Sequence, residues 1–229
     1  MRLKSLITTI CIGVFFNLNA QISNVNDATG NPIRVGSYDK IEGSPYINDG
    51  NWSDGIIITQ TDKFLTNVKI RYNAFEDELQ YLNKGEPFYY ANQDLKSFEF
   101  SLADKLGNVE RFYFENGFEY PGEINKKNFV RVLYNGKKVK ILEKITAVKQ
   151  KMTPASYGES DYDKFILISD QYVWRDGKLS ELKLKKGKIL KEFASVKDQV
   201  SSYFKENTLD LGNPKDVKDL FSYIDELLQ

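Results

Sequence analysis

The sequence predicts an α+β protein, with an antiparallel β-meander body (an open sheet or a partly closed barrel) followed by a C-terminal helical hairpin. Three observations predict it. Short alternating apolar segments fill the middle of the chain, turn dipeptides separate them, and the apolar spacing changes to three and four residues after Gly187. The predicted division is a signal peptide at 1–20, a polar N-terminal arm at 21–42, the β domain at 43–185 and the helical hairpin at 186–229.

The N-terminal stretch is typical of a secretory signal peptide. Arg2 and Lys4 precede a short apolar run at residues 6–16, and Ala20 before Gln21 is the expected cleavage point. The run is shorter than the roughly 20 residues that span a bilayer, so we expect no transmembrane segment in the mature chain. The predicted location is therefore the periplasm or the exterior of the cell.

Cleavage would remove Cys11, the one cysteine of the chain, and the sequence contains no histidine. The mature protein is therefore predicted to fold without disulfides and without the side chains on which transition-metal sites usually depend. It contains no phosphate loop, dinucleotide fingerprint, metalloprotease motif or G-x-S-x-G elbow. We accordingly predict no cofactor, no metal and no catalytic residue.

The charge of the chain is balanced, with 32 basic and 32 acidic residues. Loss of Arg2 and Lys4 with the signal peptide leaves a net charge of about −2. Such a balance produces no global field for a polyanion, so nucleic acid is not an expected partner.

The β domain is predicted from alternation and turns. Residues 68–72 and 98–102 alternate apolar with mostly polar side chains, which places the apolar ones on one face of each strand. Asn135-Gly136 and Asp176-Gly177 each separate two alternating runs, and both dipeptides tolerate the positive φ angles of a type I′ hairpin turn.

The helical hairpin is predicted from two apolar stripes. Asn213 offers a capping oxygen, Pro214 suits the first helical position and Asp216 favours the positive start of the second helix. The sequence leaves open whether the pair packs on the sheet or projects from it. The stripes consist of Ile189, Phe193, Val196, Val200 and Phe204, and of Val217, Leu220, Phe221, Ile224 and Leu228.

Aromatic residues are the main candidates for partner binding. The candidates are Trp52, Phe88, Tyr89, Tyr90 and Trp174. Exposed rings in strands could form a stacking platform for a sugar or a peptide, whereas buried rings would simply belong to the core.

Acidic residues supply the alternative candidates. Asp49, Asn51 and Ser53 match the first ligand positions of a calcium loop, but Asp54 replaces its glycine and Gln60 its final glutamate. The sequence therefore favours a turn-rich start of a strand here.

Two acidic groups could support other chemistry. The first is Glu76-Asp77-Glu78, and the second consists of Glu159, Asp161 and Asp163 in an expected loop at 152–163. Paired carboxylates can hydrolyse glycosidic bonds, and alternating acids can share a hard cation. Solvated turn and loop charges are the favoured interpretation of both groups.

Several turn segments resemble a group of exported proteins of Gram-negative bacteria for which no activity is known. They are residues 43–48 (Gly-Ser-Pro-Tyr-Ile-Asn) with Trp52 and Gly55, residues 71–73 with 76–79, and Gly117-Phe118. The resemblance covers most of the mature chain and implies an exported bacterial protein. It implies no substrate, ligand or active site.

Together these features favour a non-enzymatic binding or interaction module of the cell envelope, whose partner is an envelope protein or a glycan. A carboxylate-dependent glycan hydrolase is the alternative, with two acids such as Glu76 and Glu159 facing each other across a pocket. A structural protein that oligomerises through the helical hairpin is a third interpretation. The oligomeric state stays open.

Export gives the first testable prediction. The full chain, expressed in a Gram-negative host, should be cleaved after Ala20, because the charged start, apolar run and small residue are what signal peptidase reads. Mass spectrometry of the periplasmic and secreted fractions should find a protein that begins at Gln21. A protein that keeps Met1 and stays in the cytoplasm would contradict the assignment.

Overall fold

The computed structural model describes residues 38, 40–103, 107–154 and 160–228. The predicted signal peptide, most of the predicted polar arm and Glu159 lie outside the described residues. None of the helices in the described part of the chain is long and apolar enough to cross a membrane.

The described residues form ten β-strands and three α-helices, with 3₁₀ turns at Asn92–Asp94 and Ala194–Val196. In chain order they are β1 Ser53–Thr59, β2 Phe64–Asn73, β3 Glu78–Asn83, β4 Glu86–Tyr89, β5 Leu95–Ala103, β6 Val109–Glu115, β7 Val130–Asn135, β8 Lys140–Met152, β9 Tyr162–Arg175, β10 Lys178–Glu181, α1 Lys186–Glu192, α2 Lys197–Glu206 and α3 Pro214–Leu227.

All ten strands belong to one antiparallel sheet with the order β10-β9-β8-β7-β6-β5-β1-β2-β3-β4. The chain starts near the middle at β1, runs to one edge at β4, returns to pair β5 with the free side of β1, and continues to the other edge. The predicted α+β class and antiparallel meander are confirmed, with this single return as the departure from a simple meander. Both edge strands are only four residues long, which limits pairing with other chains.

The sheet is strongly curled. In a flat sheet β2 and β6 would be roughly 14 Å apart, because two strands lie between them. The ring of Tyr72 on β2 nevertheless lies 5.0 Å from that of Phe114 on β6. The Ala147 N–H of β8 also donates to the Ala74 carbonyl just after β2, at 3.0 Å. The two halves of the sheet therefore fold toward each other around a shared interior.

Aromatic side chains fill that interior. Phe98 packs against Phe114 at 4.8 Å, Phe129 at 4.9 Å and Tyr72 at 5.4 Å between ring centroids, and all four rings are buried. Each such pair contributes about 0.5–1.5 kcal/mol beyond the area it buries. The alternation at residues 68–72 and 98–102 thus marks the core.

The helices pack on the sheet, which answers the question that the sequence left open. Ile189, Phe193 and Val200 form one cluster with Ile141 of β8 and Val173 of β9. Four residues of the second stripe, Val217, Leu220, Phe221 and Ile224, are buried in the same cluster. Helix α3 begins as predicted, with the Asn213 side chain accepting the Lys215 N–H at 2.9 Å.

The first helical stripe is divided into two helices rather than one. Phe193 leaves helical geometry, with φ −106° and ψ 49°, and a 3₁₀ turn follows before α2. The apolar spacing continues through the break because Val196 in the 3₁₀ turn is also buried. The apolar spacing of the sequence therefore predicted the buried face of this segment but not the break in the helix at Phe193.

The two predicted hairpin turns have different outcomes. Asp176 and Gly177 have φ angles of 51° and 76° between the paired residues Arg175 and Lys178, which confirms the two-residue turn. The type I′ prediction at Asn135-Gly136 is wrong. Asn135 pairs with Lys140, so four residues form the loop, and Gly136 is not among the glycines with positive φ.

The carboxylate of Asp225 on α3 explains the longer β7–β8 turn. It accepts the backbone N–H groups of Lys137, Lys138 and Val139 at 2.9, 2.8 and 2.8 Å. A Cβ on Gly136 would lie 2.5 Å from the Asp225 Oδ1. Glycine is therefore required here, because the Asp225 carboxylate approaches the backbone too closely for any side chain. A contact 86 residues away in sequence thus decides the turn type.

A second carboxylate, that of Asp77, organises the closed side of the sheet. Its Oδ1 accepts hydrogen bonds from the Tyr72 hydroxyl, from Lys144 Nζ at 3.0 Å and from the Phe129 N–H at 3.3 Å, while Oδ2 accepts from the Asn128 side chain. The Asp77 carboxylate therefore joins the β2–β3 turn to β8 and to the connection that precedes β7. The interpretation of Asp77 as a solvated turn charge is wrong.

The Asp77 network is largely shielded from solvent. The side chains of Asp77 and Lys144 are 15% and 12% exposed. Burial, followed by the charge of Asp77, raises the pKa of the Tyr72 hydroxyl well above its ordinary value of 10.0, so Tyr72 stays a donor. The backbone carbonyl of Asp77 also accepts the Asn92 side chain at 2.6 Å, which adds the β4–β5 connection to the network.

Replacement of Asp77 with alanine should lower the free energy of unfolding by about 3–5 kcal/mol, because it leaves the Lys144 ammonium buried without its counter-ion. Urea denaturation at neutral pH measures the change. Asp62→Ala is the matched control, since Asp62 and Asp77 share a φ of 57° while Asp62 forms only an exposed ion pair with Lys96. The control should cost about 1 kcal/mol. Equal losses in both variants would show that backbone strain, and not the buried network, accounts for the effect.

Candidate interaction groove

The sheet contains an opening between β6 and β7. Within the described residues the ladder between these strands consists of two pairs, Phe114 with Arg131 and Glu115 with Val130. By contrast, β5 and β6 pair over seven consecutive positions from Ser97–Glu115 to Ala103–Val109. The first part of β6 and the last part of β7 therefore diverge instead of pairing.

The phase of the β5–β6 ladder shows which backbone groups face the opening. Asn116 donates its N–H to the Lys96 carbonyl at 3.3 Å, and successive residues of an antiparallel strand alternate in direction. Even-numbered residues of β6 therefore bond to β5. The N–H and C=O groups of Val109, Arg111 and Tyr113 point away from β5, into the opening.

The same reasoning applies to β7. Gly136 donates to the Val139 carbonyl at 2.9 Å, which directs Tyr134 toward β8 and Asn135 toward the opening. The register shift between Val132 and Tyr134 then directs Val132 toward the opening as well. Both strands thus present backbone donors and acceptors to one space.

That space is a groove of about 1430 Å³, and the start of α3 forms its third wall. Residues 109–113 and 131–135 line it from the sheet, and residues 213–215 with Lys218 line it from the helix. Its volume exceeds the roughly 300–1,000 Å³ of most small-molecule sites. Val109 on its wall is 70% exposed.

Arg131 lies where the ladder ends. Its side chain is 9% exposed and forms ion pairs with Glu110 of β6 and, at 3.1 Å, with Glu143 of β8. The guanidinium carbon also lies 3.8 Å from the centre of the Phe112 ring. Its Nε is buried without a hydrogen-bond partner among the described residues.

The walls of the groove carry more cations than acids. The charged side chains that line it are Glu110 and four cations, namely Arg111, Arg131, Lys215 and Lys218. Arg131 is neutralised by its two acidic partners, whereas Lys218 forms no ion pair among the described residues. Arg111 also pairs with Glu99, and Lys215 lies 3.8 Å from Asp219. The 14-residue helix α3 adds the partial positive charge of its N-terminus. A ligand with carboxylates therefore suits this groove better than a cationic one.

The aromatic residues singled out from the sequence do not line this groove. Phe88 packs against the main core and stacks on Tyr81 at 5.8 Å, and Tyr90 is 5% exposed in that core. Tyr89 is half-buried on β4, paired with Gln80. Their positions on and beside one edge strand separate them from the opening.

The two tryptophans lie elsewhere. Trp174 on β9 packs in a third cluster with Phe118, and seven strands of the sheet order lie between β9 and β4. Trp52 covers the Arg71 guanidinium at 4.3 Å, and Tyr46 stacks against the same group at 4.1 Å. The structure therefore distributes the five candidate aromatics over three places.

Several residues of the candidate acidic segments bind protein partners. In the segment at 49–55, which the sequence favours as a turn-rich start of a strand, Asn51 donates to the Asn48 carbonyl at 2.9 Å, and Ser53 accepts from the Asn48 side chain at 3.2 Å. Asp161 and Asp163 form ion pairs with Lys151 and Lys149 across the β8–β9 hairpin. The described residues include no group of three or more acids that could hold a metal ion.

Glu78 is the first residue of β3 and is half-buried. Burial, followed by the charges of Glu76 and Asp77, raises the pKa of the Glu78 carboxyl above its ordinary value of 4.5. Glu76 contacts the Tyr38 hydroxyl at 3.4 Å. The proposed opposing acid Glu159 lies outside the described residues.

Sequence reasoning missed the groove, although one signal was present. Arg131 stands between Val130 and Val132 in an otherwise apolar run, and a buried arginine requires acidic partners. Those partners come from β6 and β8, which the sequence could not bring together. The strand edges that are unpaired among the described residues leave no trace in composition or periodicity.

No protein-family model, curated protein or solved structure matches this chain.

Replacement of Arg131 with methionine should lower the free energy of unfolding by about 3 kcal/mol, because the Glu143 carboxylate, 14% exposed, loses its cation. Arg111→Met is the control, since Arg111 is largely exposed and its pair with Glu99 lies at the surface. The control should change stability by less than about 1 kcal/mol. Thermal or urea unfolding measures both, and similar losses in the two variants would contradict the buried role of Arg131.

Proposed function

We propose that the chain is an exported, non-enzymatic binding module of the cell envelope, and that its partner is another protein. The observation that carries this proposal is the groove between β6 and β7. It combines backbone edges that are unpaired among the described residues with cations on its walls, of which Lys218 forms no ion pair in that part of the chain. Export rests on the signal-peptide pattern at residues 1–20.

A protein partner fits this groove better than a glycan. Backbone N–H and C=O groups that face an open space match the backbone of another polypeptide, which can satisfy them in register. Sugar sites depend instead on exposed aromatic faces, and the five candidate aromatics lie in three separate places.

The two alternatives have less support. The glycan-hydrolase interpretation needs two acids that face each other across a pocket. Glu76 contacts the Tyr38 hydroxyl at 3.4 Å, and its expected opposing acid Glu159 lies outside the described residues. The neighbouring Asp77 carboxylate accepts hydrogen bonds from four protein groups, which leaves it poorly placed as a nucleophile or base. The apolar stripes of the helical hairpin are covered by β8 and β9, so little of them is left for oligomerisation.

Charge reversal in the groove tests the proposal. The variant Lys215→Glu with Lys218→Glu should reduce crosslinking of the exported protein to its envelope partner at least tenfold, because it makes the helix wall of the groove acidic. Crosslinking in intact cells, followed by mass spectrometry, measures the loss. The matched control is Lys188→Glu with Lys205→Glu, two exposed helix lysines that are not part of the groove.

The control should keep the crosslinks of the unmodified protein. Crosslinks that survive the Lys215 and Lys218 changes would contradict the groove as the binding surface. Absence of any protein partner, together with retention on a peptidoglycan column, would favour the glycan interpretation instead.

A further inference from the structure

We propose that the partner supplies an extended acidic segment, which binds in the groove as an additional β-strand along β6. This inference rests on the proposed function and specifies the mode of recognition. It follows from the backbone geometry of β6 and from the two lysines on the helix wall of the groove.

The open edge of β6 has the dimensions of a strand-addition site. Residues 109–113 extend over roughly 17 Å, which matches a five-residue segment. Val109, Arg111 and Tyr113 present alternating N–H and C=O groups on this edge, as the phase of the β5–β6 ladder requires. Added strands obtain their affinity from this kind of edge.

Strand β6 is a better template than β7. The β5–β6 register is continuous over the whole of β6, whereas β7 contains a register shift between Val132 and Tyr134. Such an irregularity interrupts the spacing of donors and acceptors that a straight segment needs. The guest strand therefore pairs with β6, and β7 and α3 form the walls beside it.

Charge selects the composition of the guest. Lys218 has no ion-pair partner among the described residues, and it lies with Lys215 on the wall formed by α3. Carboxylates on the guest strand would meet these groups in a partly enclosed groove, where charged hydrogen bonds are strongest.

The test uses the exported chain, starting at Gln21 and labelled with ¹⁵N, and synthetic peptides as probes. The probes are ten-residue peptides of alternating threonine and valine with two glutamates at either the N-terminal or the C-terminal end. Control peptides carry lysines in place of the glutamates, or N-methyl groups on alternate backbone nitrogens in each of the two phases.

Amide exchange and chemical shifts report on individual residues. In the free protein the amides of Val109, Arg111 and Tyr113 should exchange at least tenfold faster than those of Glu110 and Phe112, because only the latter pair with β5. An acidic peptide should slow the first set tenfold or more and leave the second set unchanged. The acidic peptide should bind at least ten times more tightly than the lysine peptide. N-methylation of the peptide nitrogens that face β6 should abolish binding, whereas N-methylation of the alternate nitrogens should not.

The variant Val109→Pro provides a test that does not depend on the peptide. It removes one donor from the open edge at the first position of β6, where proline is compatible with the β5 ladder. Binding should weaken at least threefold relative to Val109→Ala, which keeps the N–H.

Three results would overturn the inference. They are slow exchange of Val109, Arg111 and Tyr113 in the free protein, acidic peptides that leave these amides unaffected, and tolerance of N-methylation in both phases. Failure of the proposed function looks different. Amide protection by the peptide without any envelope crosslink would contradict the proposed envelope partner and support the strand-binding site. Charge-dependent crosslinks without amide protection would support the partner and contradict the added strand.

Discussion

The curl of the sheet depends on one buried ion pair, that of Asp77 with Lys144. The Asp77 carboxylate gathers donors from β2, from β8 and from the connection before β7, so three distant parts of the chain meet at one point. Around it the sheet encloses the rings of Tyr72, Phe98, Phe114 and Phe129. A buried carboxylate with this many partners stabilises only the arrangement that supplies all of them, which makes the interaction a strong constraint on topology.

The opening in the sheet follows from how β7 is held at both ends. Its beginning is fixed because Asn128 and Phe129 bind Asp77, and its end is fixed because the following turn wraps around Asp225 of α3. Between these points β7 keeps its pairing with β8 and leaves β6 after Arg131. The ion pairs of Arg131 with Glu110 and Glu143 hold the fork where the strands separate. The groove is thus a product of two carboxylates that lie outside it.

The candidate site is the part of the structure that the sequence predicted least well. The aromatic residues of the sequence suggest a binding surface of exposed rings, yet Tyr90 is buried in the core and Trp52 covers the Arg71 guanidinium. Aromatic composition predicts burial and strand preference equally well, so it does not separate a platform from a core. The sequence predicts a solvated turn charge at Asp77, because the residues that donate to its carboxylate lie up to 67 positions away. The backbone groups of Val109, Arg111 and Tyr113 carry no side-chain signature at all.

The sequence by itself determined the α+β class, the buried faces of the strands and helices, the Asp176-Gly177 turn and the start of α3 at Asn213. Each of these depends on residues within a few positions of one another, where spacing and φ preference are decisive. Only the tertiary structure decided the return of β5 to β1, the four-residue turn at Gly136, the packing of the helices on β8 and β9, and the groove. These features depend on contacts between residues far apart in the chain, such as those of Asp77 and Asp225. Local conformational propensity contains no information about such contacts.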